Sequence, residues 1–107
     1  MEWLPHVSDP KQQVLECLNS EQYRFDVHFN TLLQSAKLPR IWVLNRLKQS
    51  RRNKQFDYGK GKESIPCYCF SARKTSEVGA LTFFVAFAKE ADGSIMMWIQ
   101  DFHLDPK

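Results

Sequence analysis

Apolar and polar residues alternate along two runs near the end of the chain, and Asp92-Gly93 separates these runs. Asp-Gly in this setting is a strong hairpin signal, because a type I′ turn needs positive φ at both central residues. A two-residue loop here predicts a β-hairpin over residues 81–104. Its register puts three cross-strand pairs on one face, which we expect to be a wall of the core: Leu81 with Leu104, Phe83 with Phe102, and Phe87 with Trp98. The opposite face is apolar near the turn and becomes polar towards His103; it carries Ala86, Ala88, Met97 and Ile99, and then Thr82 and Phe84 opposite His103 and Asp101.

Three helices are predicted upstream of the hairpin. Asp9 has the side chain of an N-cap and Pro10 suits the first helical position, so a first helix begins there and ends near Asn19. A brief second helix is predicted over residues 31–37. Pro39 then begins a longer helix, because proline is tolerated in a first turn. Its buried stripe is predicted from residues three apart, Ile41, Leu44 and Leu47, and Trp42 and Val43 widen the apolar face.

Two further segments have strand patterns. Residues 23–29 alternate strictly between apolar and polar, which is typical of a half-buried strand and puts His28 on its polar side. Residues 65–72 form another strand, which Pro66 places at an edge or at the strand entry. The order of elements predicts a single α+β domain over residues 1–107, with a small antiparallel sheet of three to four strands packed against helices on one face.

Composition agrees with one domain. The chain has 107 residues, of which 43% are hydrophobic and 25% charged, enough for a single core. It has no apolar run of eighteen residues and no signal sequence, so a soluble, cytoplasmic protein that does not enter a membrane is expected. Cys67 and Cys69 with a remote Cys17 lack the paired spacings of structural zinc sites, so reduced thiols are expected and no metal or cofactor is predicted.

Charge is distributed unevenly. The net charge is +3, but residues 46–74 hold nine basic and two acidic residues, so this stretch carries +7 and the remainder −4. Such a stretch is a candidate surface for a polyanion. Basic residues also stabilise the C-terminal end of a helix, by about 0.3–1 kcal/mol each when exposed. Both interpretations of the basic residues therefore stay open.

The loop at 55–64 places aromatic residues beside lysines, as in Tyr58-Gly59-Lys60-Gly61-Lys62. It lacks the spacing of a Walker loop. Aromatic rings beside lysines are typical of single-stranded RNA recognition, where a base stacks while phosphate is neutralised. The residues predicted to bind RNA are the basic ones of this region: Arg51, Arg52, Lys54, Lys62 and Lys74.

Several local features resemble the motility quorum-sensing regulator (MqsR) toxins of the RelE-like superfamily of small bacterial ribonucleases. The similar features, which span most of the chain, are Pro5-His6 before the capped helix, Phe25-x-Val-x-Phe29, Ala36-Lys37-Leu38, Phe56-Asp57-Tyr58-Gly59-Lys60 and the closing hairpin. The resemblance implies a bacterial or phage ribonuclease that cleaves mRNA without a metal and is held in check by a protein antitoxin. The family's aromatic-Tyr-Lys stretch has its nearest counterparts in Tyr58 and Lys60, offset by one residue, whereas its glutamine and tyrosine in the following strands have no match.

In that chemistry the 2′-hydroxyl attacks the adjacent phosphorus, so a base, an acid and positive charge are needed. Lys60 and Arg73 are the candidates for the charge. Tyr58 is the candidate for base stacking or proton transfer. His103 is the candidate acid or base, with Asp101 on the same strand face to orient it. A surface hydrogen bond between Asp101 and His103 is the alternative.

Two other classes fit the same residues. One is a non-catalytic phage or plasmid inhibitor, or an immunity-type protein, that uses its basic surface to bind a partner. The other is an interaction module in which exposed aromatic residues, Trp3 and Trp42 among them, mark a dimer interface.

Overall fold

A computed structural model describes residues 2–57, 65–74 and 79–105 of the chain. This part contains three α-helices: α1 (Pro10–Asn19), α2 (Val27–Ala36) and α3 (Arg40–Gln49). It contains six strands: β1 (Glu2–Trp3), β2 (Tyr23–Phe25), β3 (Arg51–Arg52), β4 (Tyr68–Ala72), β5 (Leu81–Lys89) and β6 (Ile95–Leu104). A short 3₁₀ turn, Lys54–Phe56, follows β3. The α+β class is confirmed.

Local signals gave the start of α1 and α3 correctly. The Asp9 side chain accepts a hydrogen bond from the Gln12 amide at 3.1 Å, and α1 runs from Pro10 to Asn19 as predicted. Pro39 is the N-cap of α3. The predicted stripe of α3 is wrong at Ile41, which is 74% exposed, whereas Leu47 is buried and Leu44 is partly buried against the core. The second fully buried side chain of the helix is Val43, one turn before Leu47.

The predicted strand over residues 23–29 is wrong beyond Phe25. Asp26 accepts a hydrogen bond from the His28 amide at 3.0 Å and so caps α2. This helix takes in the end of the predicted strand and contains most of the predicted brief helix, which it begins four residues earlier. Phe29 and Leu33 are its buried residues. Residues four apart lie on one side of a helix and also on one side of a strand, so the periodicity does not distinguish the two. The Asp26 cap decides the local structure here.

The hairpin has a three-residue loop, not the predicted two-residue one. The Glu90 amide donates to the Ser94 carbonyl at 2.8 Å, and of the loop residues 91–93, all described, Gly93 alone has a positive φ, 89°. The near-turn pairs therefore shift by one residue, and Phe87 pairs with Met97 instead of Trp98. Because a one-residue shift exchanges faces, Met97 and Ile99 enter the core.

A β-bulge then restores the predicted register at the far end of the hairpin. Val85 pairs with Ile99 and Phe84 pairs with Asp101, so Gln100 is the extra residue of β6. Beyond the bulge the predicted pairs are present: Phe83 with Phe102 and Leu81 with Leu104. The sequence analysis thus assigned the far half of the hairpin correctly and the half near the turn incorrectly.

The sheet is larger than predicted, and it is mixed. In the described part of the chain its order is β2-β6-β5-β4-β3, with β1 beside β5. Strand β2 lies parallel to β6, and the other pairs are antiparallel. The missed strands β1 and β3 have two residues each, too few to show periodicity.

All three described helices bury side chains in one core against the same sheet face. The buried helix residues are Val14, Cys17, Phe29, Leu33, Val43 and Leu47. The strand residues packed with them are Tyr68, Phe70, Ala72, Leu81, Phe83, Val85, Phe87, Met97, Ile99 and Phe102. We call the opposite side of the sheet the second face. Each described helix has ten residues, and none of them is long and apolar enough to cross a membrane.

Candidate functional site

The chain passes from α3 into β3 at a firmly held helix end. Lys11 donates from Nζ to the carbonyls of Leu47 and Lys48, at 3.2 and 2.7 Å, and burial lowers the pKa of this amine. The buried Ser50 hydroxyl also donates to the Leu47 carbonyl. These contacts satisfy carbonyls that a helix end leaves unpaired, and they fix the point from which Arg51 departs.

An open groove of about 450 Å³ lies where the end of α3 meets β3 and the end of β4. We call it the arginine groove. It is lined by Arg46, Gln49, Arg51, Ser71, Ala72 and Arg73. Three of these residues are cations, and none of the described lining residues is a carboxylate. The described lining of the groove therefore presents positive charge and contributes no counter-ion.

Arg46 is the fixed member of this set. Its Nη1 donates to the Gln49 side-chain oxygen at 3.1 Å, and its Nη2 donates to the Arg73 backbone carbonyl. Its Nε is buried and has no hydrogen-bond partner among the described residues. Arg46 therefore joins α3 to the segment that leaves β4. The Gln49 side-chain oxygen accepts the bond from Arg46, and the NH₂ group of Gln49 remains available as a donor.

A row of polar side chains leads from the arginine groove across the second face. Arg51 pairs with Ser71, Ser71 with Thr82, and Thr82 with His103, so all four side chains share one face. His103 lies three strands from Arg51, about 14 Å at the usual strand spacing. The groove and the candidate acid or base are therefore two ends of one polar row.

The carboxylate beside His103 is not the one expected. His103 Nε2 lies 3.0 Å from Asp105 Oδ1, and its side chain is 69% exposed. Asp101 instead lies 3.4 Å from Nε2 of His28, in the first turn of α2. The expectation that Asp101 orients or pairs with His103 is wrong, because the connection between β2 and α2 brings His28 beside β6.

The predicted basic site residues lie in different places. Arg51, predicted to bind RNA, and Arg73, predicted to supply charge for catalysis, line the arginine groove. Arg52 pairs with Phe70 on the helix side of the sheet, where its guanidinium lies 4.9 Å from the Tyr68 ring centre and 3.0 Å from Asp57. Lys54 and Lys74 are exposed and do not line the groove. The predicted residues Tyr58, Lys60 and Lys62 lie outside the described residues.

Arg46, Gln49 and Ser71 are site residues that the sequence analysis missed. A signal for two of them was present, because Arg46 and Gln49 are three residues apart in the last turn of α3, just before Arg51. The interaction of basic residues with the helix dipole explained these cations equally well. Only the position of β4 beside α3 shows that they face a common groove.

The cysteines do not form part of this site. All three lie in the described residues, buried and unpaired. Burial, together with the nearby Asp101 and Asp57, raises the pKa of the Cys67 thiol to about 11. Within residues 2–57, 65–74 and 79–105, no three His, Cys, Asp or Glu side chains form a group that could hold a metal.

Comparisons with protein-family models, with curated proteins and with solved structures found no match to this chain. The resemblance to RelE-like ribonucleases therefore stays a prediction, and the functional conclusion is based on the chemistry of the arginine groove.

Proposed function

We propose that this protein binds single-stranded RNA through the arginine groove and cleaves it as a small, metal-independent ribonuclease of the RelE/MqsR type. The observation that carries the proposal is the convergence of Arg46, Arg51 and Arg73 from three elements on one groove whose described lining has no carboxylate. Phosphate contacts dominate the affinity of nucleic-acid-binding proteins, and arginine binds phosphate through two parallel hydrogen bonds.

The polar row supports a ligand that extends beyond one phosphate. Ser71 and Thr82 are half-buried hydroxyl-bearing residues between Arg51 and His103. A flexible single strand held at the groove can follow this row across the sheet, and a 2′-hydroxyl offers both a donor and an acceptor to such side chains. This path brings the RNA backbone to the exposed imidazole of His103.

Cleavage in this scheme uses the RNA itself as nucleophile. The 2′-oxygen forms a bond to the adjacent phosphorus while a base takes the hydroxyl proton. The bond from phosphorus to the 5′-oxygen breaks, and an acid protonates the departing oxygen, which leaves a cyclic phosphate and a 5′-hydroxyl. Imidazole readily exchanges a proton near neutral pH, so His103, with Asp105 beside it, is assigned to one of these steps. Tyr58 and Lys60 stay predicted partners in proton transfer and charge stabilisation.

The test is incubation of the purified full chain with end-labelled single-stranded RNA, with and without a chelator. We expect fragments with cyclic phosphate ends under both conditions, and weaker binding and slower cleavage in Arg51→Ala and Arg73→Ala. His103→Gln should bind RNA normally and cleave it at least tenfold more slowly. The matched control is Arg24→Ala, which also removes one exposed positive charge but lies on β2, at the opposite edge of the sheet.

Two results would contradict parts of this proposal. Unchanged RNA affinity in both groove variants would exclude the arginine groove as the binding site. Binding without turnover would refute the cleavage step and leave a non-catalytic binding protein.

We place this activity in the cytoplasm, and the unpaired state of all three buried cysteines supports a reducing compartment. An antitoxin or other protein that competes with RNA for the arginine groove would inhibit it. The cationic groove would therefore bind such a partner through an acidic surface.

A further inference from the structure

We propose that the arginine groove binds a terminal phosphate of RNA, a phosphate monoester, in preference to the phosphodiesters within the strand, and that Arg46 supplies the fixed donor. This inference rests on the proposed function, since it requires RNA in the groove. It specifies which phosphate group of the RNA occupies the groove, and therefore where the end of the RNA strand lies.

The bonds of Arg46 within the protein leave donors for a ligand. Nη1 and Nη2 each donate once within the protein, and Nε is buried without a hydrogen-bond partner among the described residues. Nε has almost no exposed surface, so it is closed to a ligand while these bonds hold. Each Nη group has a second N–H. Because Arg46 lines the groove, an oxygen of a bound phosphate is a suitable partner for these N–H groups.

The groove has more hydrogen-bond donors than a phosphodiester has acceptors. Around the groove are three guanidinium groups and the NH₂ group of Gln49, and the described lining residues include no carboxylate. A phosphodiester has one negative charge and two non-bridging oxygens. A phosphate monoester carries a charge of about −1.5 to −2 at pH 7 and has three strong acceptor oxygens. The monoester therefore matches the charge and the number of donors better.

The guanidinium group of Arg46 is preorganised for a ligand. Arg46 is held by Gln49 on its own helix and by the Arg73 carbonyl, so its guanidinium is oriented before any ligand arrives. The small side chain of Ala72 lines the same groove. Arg51 and Arg73 are exposed and can close onto the remaining oxygens. One fixed guanidinium group and two adjustable ones favour a compact, highly charged ligand group.

The test measures the affinity of three single-stranded oligonucleotides of one sequence, made with 2′-O-methyl groups so that no 2′-hydroxyl can attack. One carries a 5′-phosphate, one a 3′-phosphate, and one has hydroxyls at both ends. We expect one phosphorylated end to bind about tenfold more tightly than the hydroxyl form, as one added charge-assisted contact would produce. The other phosphorylated end should bind within threefold of it. Because both phosphates add the same charge, a difference between them cannot arise from net charge.

Arg46→Lys tests the assigned donor, because lysine keeps the charge but lacks the planar fork of N–H groups. We expect it to abolish the preference, so that the phosphorylated and hydroxyl-ended forms bind within threefold of each other. Arg24→Lys is the matched control and should keep the preference. A preference that persists in Arg46→Lys would overturn the role of Arg46.

The wild-type measurements need no variant to fold. Equal affinity for all three oligonucleotides, or equal gains from both phosphates, would overturn this inference. If Arg51→Ala still weakened the binding of all three, the proposed RNA site would stand. Absence of binding to every oligonucleotide and to unmodified RNA would instead refute the proposed function itself.

Discussion

The salt dependence of RNA binding should report directly on the arginine groove. Each phosphate that a protein neutralises on a single strand contributes about −0.7 to the slope of log K against log salt concentration. Three arginines line the groove, so on an oligonucleotide with hydroxyl ends, where each arginine contacts a separate phosphodiester, the slope is about −2 for the wild-type protein. Affinity should then fall roughly 18-fold between 50 and 200 mM salt, a fourfold change in concentration.

Arg51→Ala removes one of these contacts. Its slope should be about −1.4, so that affinity falls only about sevenfold over the same salt range. Fluorescence anisotropy of a labelled oligonucleotide at four salt concentrations measures both slopes. Arg24→Ala should keep the wild-type slope, because Arg24 lies at the far edge of the sheet. Arg52→Ala should also keep it, since Asp57 and the Tyr68 ring already engage the Arg52 guanidinium.

A slope in Arg51→Ala equal to that of the wild-type protein would refute this reasoning. It would show that the phosphates contact other cations and that the lining of the groove does not describe the bound state. A slope that falls equally in the Arg24 variant would show that net charge, not position, controls binding.

Three further predictions concern the fold. Gly93→Ala should lower the free energy of unfolding in urea by about 1–2 kcal/mol, because φ is 89° there while no atom obstructs the added Cβ; an unchanged value would refute the backbone argument. Tyr68→Phe should lower the free energy of unfolding by about 1–3 kcal/mol, since the hydroxyl donates to the Pro5 carbonyl and accepts from the Val7 amide. If the Val7 amide exchanges its hydrogen no faster than in the wild-type protein, this prediction is contradicted. With its pKa raised to about 11, Cys67 should be roughly one-thousandth thiolate at pH 8 and react slowly with a disulfide reagent. As pH rises, the Cys67 thiol of the unfolded chain loses its proton before that of the folded protein, so the free energy of unfolding should fall between about pH 9 and pH 11. The fall should be smaller in Cys67→Ala. Rapid labelling of Cys67 in the folded protein at pH 7 would count against its burial.

The hairpin shows where sequence reasoning succeeds and where it stops. Asp-Gly correctly predicts a turn, but the same dipeptide is compatible with loops of two or three residues. The choice depends on which β6 residues fill the core. Here Met97 and Ile99 pack beside Phe87, and the bulge at Gln100 compensates for the longer loop. No local signal in β6 marks this bulge.

The candidate site was predictable only in part. Basic composition pointed to residues 46–74, and two of the predicted residues, Arg51 and Arg73, line the arginine groove. Arg52 follows Arg51 in the chain yet faces the other side of the sheet, because successive strand residues alternate. The two-residue strand β3 was too short to reveal this alternation.

The sequence by itself determined the features that depend on neighbouring residues: the cap and proline that start α1, the proline before α3, the turn at Gly93 and the α+β class. Caps and turns are local, since their hydrogen bonds join residues two to four apart. Tertiary structure alone decided which face of β6 is buried between the turn and the bulge and which basic residues share a site. Arg46 and Arg73 are 27 residues apart and meet because β4 pairs with β3 beside the end of α3. That meeting depends on how the whole sheet packs against the helices.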